Sequence, residues 1–207
     1  MRYFSDKKYF TAFITGAVFL VVASYANSLA VQYANERVSN SVTDIILSNT
    51  PVFDVDGFFI YGAIALIVIA TAICVWRLRA APFVMKSVAL LVVIRAAFVS
   101  MTHISPYPEH VAVGPDMFTK LFPSVFTGSD LFFSGHTAIP FLLALMFWDN
   151  VYLRFLFLGF SAAFAVVVLL GHLHYTIDVA AAYFITYTIF VLAKKFFRTD
   201  WERMQER

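Results

Sequence analysis

Residues 151–171 read VYLRFLFLGFSAAFAVVVLLG, with Arg154 as their one charged side chain. A helical run of about 20 apolar residues matches the hydrocarbon thickness of a bilayer. The run lacks the strict alternation of a membrane β-strand, so it predicts a transmembrane helix. His172-Leu173-His174-Tyr175 separates it from a second apolar run at Thr176–Phe197. Asp149-Asn150 separates it from an earlier run at Leu131–Trp148, which predicts a tight helical hairpin. Further runs lie at Phe10–Ala34, Phe58–Trp76 and Phe83–Met101. The expected fold is therefore all-α: one polytopic membrane bundle of six transmembrane helices, forming a single domain over residues 1–207.

Composition agrees. Of 207 residues, 61% are hydrophobic and only 14% are charged, against about a quarter charged in soluble domains. This excludes a disordered chain, a solvated enzyme domain and a small disulfide scaffold. Cys74 is the only cysteine, so no intramolecular disulfide can form. A net charge of +2 carries no nucleic-acid signature. The many Phe are expected to face lipid or pack between helices.

The charges are placed rather than spread. Arg2, Lys7 and Lys8 precede the first span, Arg77, Arg79 and Lys86 surround the turn between spans two and three, and Arg154 follows the turn after span four. Lys194, Lys195, Arg198, Arg203 and Arg207 follow span six, where the tail around Trp201 resembles an interfacial amphipathic end. With six spans all of these fall on one face, which the preference of positive residues assigns to the cytoplasm. Asp44, Asp54, Asp56, Glu109, Asp116 and Asp130 fall on the other face. Both termini are thus expected in the cytoplasm. The loops at 35–57 and 102–130 and the turn at 172–175 are expected on the periplasmic, extracellular or lumenal side. A cleaved signal peptide is the competing interpretation of the first span, with Ser28-Leu29-Ala30 as the cleavage site.

Polar residues inside spans are costly and usually functional. They converge at the outer ends of the predicted helices. His174 and Asp178 are four apart, which puts them on one helix face. A carboxylate that holds one imidazole nitrogen leaves the other free to attack or to take a proton. A structural His–Asp pair closing a helix end fits the same spacing. Ser134-Gly135-His136-Thr137 opens another helix: Ser134 can cap it, Gly135 permits close backbone approach, and the exposed amides suit a phosphate. His136 there could protonate a leaving oxygen. A plain capped helix start is the alternative. Arg95 lies about two turns inside span three and needs a partner: a bound anion, a carboxylate of Asp54, Asp130 or Asp178, or the interface by snorkelling. His172, His174, His136 and Asp178 could be combined as zinc ligands, but the i,i+2 spacing at a helix start suits this poorly. Asp54-Val55-Asp56-Gly57 is half a calcium loop without its later ligands.

Together these residues resemble the sphingomyelin synthase-like branch of the type 2 phosphatidic acid phosphatase superfamily. Ser134-Gly135-His136-Thr137, with Asp130 four residues before Ser134, and His174-Tyr175-Thr176-Ile177-Asp178-Val179 are similar to its two histidine motifs. Arg95, Thr102 and Pro106-Tyr107-Pro108 fill a looser third block, and Pro51-Val52-Phe53-Asp54 echoes a fourth. The resemblance is clearest over residues 50–185. It implies metal-free, cofactor-free catalysis in which His174 attacks the phosphorus of a lipid phosphate ester, Asp178 orients it and His136 protonates the departing alcohol. Ser134, Gly135, Thr137, Asp130, Tyr175 and Arg95 are the implied phosphate and substrate contacts. The partners implied are a phospholipid donor and a diacylglycerol- or ceramide-like acceptor. If water replaces the acceptor, the same site is a lipid phosphatase or a phospholipase C-type hydrolase.

The chain also departs from the superfamily. It lacks the Lys-x6-Arg-Pro block of the phosphatases and has Val168 where they place an Arg before the second histidine. Phosphate must then be held by other residues, Arg95 first among them. A transporter would need polar residues along a path through both leaflets, and the cytoplasmic halves of these spans are nearly all apolar. An inactive scaffold is compatible with the same motifs.

Overall fold

The structure is a computed structural model that describes residues 6–111 and 131–206. It is all-helical. Helix α1 spans Lys7–Asn35, α2 Asp56–Trp76, α3 Ala81–Met101, α4 Gly135–Met146, α5 Val151–Leu170, α6 Thr176–Phe196 and α7 Arg198–Gln205. Each start has a local cause. Asp6 Oδ1 accepts the Lys8 amide at 2.9 Å, Asn150 Oδ1 accepts the Leu153 amide at 3.0 Å, and Pro82 sits in the first turn of α3.

Among the described residues five helices are long and apolar enough to cross a membrane: α1, α2, α3 with the short turn before it, α5 and α6. The protein is an integral membrane protein. The fourth expected span differs. Its helix has 12 residues, about 18 Å at 1.5 Å per residue, well short of a bilayer core of about 30 Å. Residues 131–134 are not helical, because Ser134 caps α4 and starts it later than hydropathy alone indicates. Unwound backbone is tolerated at membrane depth only inside protein. Leu131, Phe133 and Ser134 are all buried.

Helices α1 and α3 run in the same direction and pack along their length. The Tyr9 hydroxyl donates to the Leu78 carbonyl at 2.9 Å, Gly16 lies against Met85, and Val31 and Ala34 meet Val99. Helix α4 is enclosed by α5 and α6, and Ser161 Oγ of α5 donates to the Thr137 carbonyl at 2.9 Å. Phe133, Leu142 and Phe157 are completely buried there. Helix α2 leans on α5 and barely touches α3, so a gap opens along it. Large apolar side chains such as Phe58, Val21 and Phe184 point outward, as lipid-facing residues do.

The loops that follow α1 and α3 dock on the turn before α6. Ser39 takes the His103 carbonyl through its amide at 2.7 Å and its hydroxyl at 2.8 Å. The Phe53 amide donates to the Leu170 carbonyl at 2.9 Å, and the Val111 amide to Gly171 at 3.0 Å. At the opposite end of the bundle, Lys86 Nζ pairs with Asp200 Oδ2 of α7 at 2.6 Å. Trp201 packs on Phe83 and Phe190, so the amphipathic tail is a helix folded against the bundle.

Candidate active site

The turn His172–Tyr175 and the start of α6 place His174. Its side chain is buried, and Nδ1 donates to the Leu131 carbonyl at 2.8 Å. That bond puts the proton on Nδ1 and leaves Nε2 with a lone pair. Asp178 Oδ2 stands 3.5 Å from the same Nδ1. Its shorter bond, 2.9 Å, comes from the Tyr175 amide and closes the first turn of α6. The His–Asp spacing thus serves both the helix end and the imidazole.

Helix α4 places His136 beside that turn. Ser134 Oγ accepts the Thr137 amide at 3.4 Å and the Thr137 hydroxyl at 3.2 Å, so both residues are buried in the cap. His136 lies in the first turn with its ring 4.1 Å from that of Phe59 and 5.5 Å from that of Phe164. Arg95 reaches across from α3, and its Nε donates to the Phe133 carbonyl at 2.8 Å. Gly135 makes room for it. A Cβ there would lie 3.3 Å from Arg95 Nε, so the close approach that Gly135 permits is that of the guanidinium group. The Ser134 amide donates to the Asp178 carbonyl at 3.2 Å, which ties α4 to α6.

A cavity of about 750 Å³ runs alongside α2. Arg95, Gly135, His136 and His174 line one end, and Cys74, Leu78 and Ala81 line the other. Its walls are otherwise almost wholly apolar, contributed mainly by α1, α2 and α3, with Ile139 and Leu143 of α4 and Leu173 of the turn. Four of the expected site residues therefore share one cavity end. Ser134, Thr137 and Asp178 stand behind them and hold the backbone. Asp130 lies outside the described residues, as do Asp116, Arg2 and Arg207. Tyr175 is not on the cavity wall. It is buried, its hydroxyl donates to the Ser105 carbonyl at 2.8 Å and accepts the Val42 amide at 3.3 Å. Burial, with Asp178 and Asp44 nearby, raises its phenol pKa against the opposing Val42 bond, so the proton stays on the oxygen. Asp54 Oδ1 accepts the Asp56 amide at 3.2 Å and shapes the entrance to α2. Among the described residues no three His, Cys, Asp or Glu side chains converge as a metal-ligand group.

With this geometry in place, both histidine motifs fall inside one recognisable stretch. Residues 127–195 match the PAP2 superfamily C-terminal family. The PAP2 match takes in α4, α5 and almost all of α6, and so carries Ser134, His136, His174 and Asp178. Arg95 and the three helices that wall the cavity precede it. No curated protein and no solved structure gives a significant match to the chain.

Three contributors have roles that the sequence does not assign: Asn27 carries no signal there, Asp44 counts only among the acidic residues of one face, and His172 only as a candidate zinc ligand. Asn27 of α1 is buried, lines the cavity, and its Oδ1 has no hydrogen-bond partner among the described residues. The α1–α3 contacts, Gly16 with Met85 and Val31 with Val99, bracket it and put it level with Arg95. Asp44 pins the loop after α1: Oδ2 accepts the Thr176 amide at 2.7 Å, and Oδ1 accepts the Thr176 hydroxyl at 2.7 Å and the Ile46 and Leu47 amides. His172, at φ 53, donates from Nδ1 to the Glu109 carbonyl at 2.7 Å and holds the Pro-rich loop down.

Proposed function

We propose that the protein is a membrane lipid phosphotransferase that works through a phosphohistidine on His174 and transfers a phospho-head group to a lipid alcohol. The observation that carries this is the cavity: Arg95, His136 and His174 together close one end of a long apolar trough. A substrate with one phosphate ester and acyl tails has the same polarity pattern. The PAP2 match supports the chemistry, since both histidine motifs lie inside it.

In the first half-reaction Nε2 of His174 attacks phosphorus, and the bond from phosphorus to the lipid oxygen breaks. That oxygen leaves with a proton from His136 as a neutral alcohol. The proton stays on Nδ1, donated to the Leu131 carbonyl, and Asp178 stabilises the cationic phosphoimidazole. Arg95 balances the charge on the phosphoryl oxygens. In the second half-reaction His136 takes the proton of the acceptor hydroxyl, the alkoxide attacks phosphorus, and the P–N bond breaks. Atoms and protons balance over the cycle, and no metal is required. Asn27 offers its amide at the depth of Arg95, where the glycerol or sphingoid oxygens of a lipid would lie.

The topology belongs to the same proposal. Residues 131–134 complete the crossing that α4 begins, which makes six passes with both termini in the cytoplasm and the site on the far face. The test is product mass spectrometry on purified protein in mixed vesicles of phospholipids, lipid phosphates, ceramide and diacylglycerol, with His174→Ala as control. A new lipid carrying the head group, absent with the variant, establishes transfer. Free phosphate or a free phosphorylated head group as the only product makes the enzyme a hydrolase and refutes transfer.

A further inference from the structure

The end of the bundle opposite His174 carries a second concave site. The start of α1, the first third of α3 and the α6–α7 junction enclose a recess of about 630 Å³. Lys7, Lys8, Lys86, Arg198 and Arg203 line it, with Asp200 as the only carboxylate on its wall among the described residues. Asp200 is already divided between two cations. Its Oδ2 holds Lys86 at 2.6 Å, and its Oδ1 is 3.5 Å from Arg203 Nη1. That Arg203 nitrogen is buried and makes no hydrogen bond among the described residues. Arg198 pairs with Glu202 at 2.7 Å at the rim. Lys7 and Lys8 are exposed and make no ion pair among the described residues. Asp6 spends one oxygen on capping α1. The recess therefore holds more positive charge than its carboxylates balance.

We infer that this recess is a binding site for the phosphate head group of an anionic phospholipid from the leaflet at this end of the bundle. Its position selects a lipid over a dissolved anion. It lies where two membrane-spanning helices terminate, α1 at its start and α6 at its end, which is where lipid head groups meet a bundle. Thr11, Ala12 and Thr15 carry its wall up α1, and Phe196 and Phe197 flank it, so acyl chains attached to a bound head group would continue along the bundle. Basic recesses between helices on a cytoplasmic face recognise anionic head groups in this way. Such a lipid would also hold α7 against α3 by giving Arg203 the acceptor it lacks. The site is separate from the catalytic cavity and does not depend on the proposed reaction.

Native mass spectrometry of the purified full-length protein, titrated with phosphatidylglycerol or phosphatidylcholine, tests this. Wild type should retain phosphatidylglycerol preferentially. Lys7→Gln with Lys8→Gln leaves the fold intact, since both side chains are exposed, and should weaken that binding roughly thirtyfold. Arg203→Gln should weaken it as well, and Arg154→Gln, which lines neither cavity, should leave it unchanged. Equal retention of the two lipids by wild type overturns the site. So does a preference lost in Arg154→Gln and kept in the double variant. Glycerophosphate that competes as well as the intact lipid refutes the lipid source and leaves a site for free phosphate.

Discussion

His174 Nδ1 lies 2.8 Å from the Leu131 carbonyl oxygen and 3.5 Å from the carboxylate of Asp178. The tautomer of the imidazole proposed to attack is thus set by the backbone of an unwound segment, with the carboxylate behind it. A separate consequence attaches to each. Asp178→Asn should lower kcat on the order of 10²-fold, less than the roughly 10⁴-fold found where a carboxylate alone holds the tautomer. His174→Ala should abolish turnover. Single-turnover rates on folded protein check both, and a 10⁴-fold loss in Asp178→Asn would show that Leu131 does not suffice.

His136→Ala should cost about 10²- to 10⁴-fold with a lipid alcohol as leaving group. A nitrophenol leaves without protonation, so a nitrophenyl phosphodiester should show a much smaller loss. Equal losses with both substrates would remove His136 from the role of general acid.

Gly135→Ala places a Cβ 3.3 Å from Arg95 Nε. The guanidinium must move a few tenths of an ångström, which strains its bond to Phe133. Thermal stability should change by about 1 kcal/mol or less, whereas phosphate affinity should fall, visible as a raised KM or a weaker vanadate Ki. Unchanged kinetics would mean that Arg95 does not hold the phosphate.

Asn27 is buried with an unsatisfied Oδ1, an arrangement that costs about 1–3 kcal/mol. Asn27→Leu should therefore raise the melting temperature of the apo protein while raising KM for the lipid. A variant that is more stable and kinetically identical would give Asn27 no part in binding.

Asp44 supplies a pH test of the loop anchored on the start of α6. Burial pushes its pKa up, but the bonds from Thr176, Leu47 and Ile46 outweigh it and hold the carboxyl below the ordinary 3.8. A carboxylate whose pKa falls on folding stabilises the folded state above its unfolded pKa, and loses that contribution as pH drops through the folded value. Wild type should melt higher than Asp44→Asn at neutral pH, and the two curves should converge below about pH 4. A gap that persists into acid would mean that shape alone accounts for the anchor.

Much of this was legible in the sequence because the membrane simplifies the code. An Arg or His within an apolar run stands out, so Arg95, His136 and His174 could be named before any coordinates. The helices followed from hydropathy, except that α4 is shorter than its apolar run. Hydropathy reports what surrounds a residue, and Leu131 and Phe133 are buried in protein without being helical. The role of Asp44 is set by where a loop folds back across 132 residues to Thr176, which no local pattern encodes. Asn27 carries one amide in a long helix and becomes notable only when α3 is laid beside it. Tyr175 sits within a candidate site motif, yet its hydroxyl fastens the loops that follow α1 and α3.

The trough beside α2 reaches from His174 to Ala81, nearly the length of the bundle. Under the proposed function, a lipid seated in it need never leave the bilayer, so protein and substrate would meet by lateral diffusion in two dimensions. The variable that governs saturation is then the mole fraction of substrate in the membrane. Adding inert phospholipid at constant substrate per volume slows each enzyme molecule, and adding buffer does not.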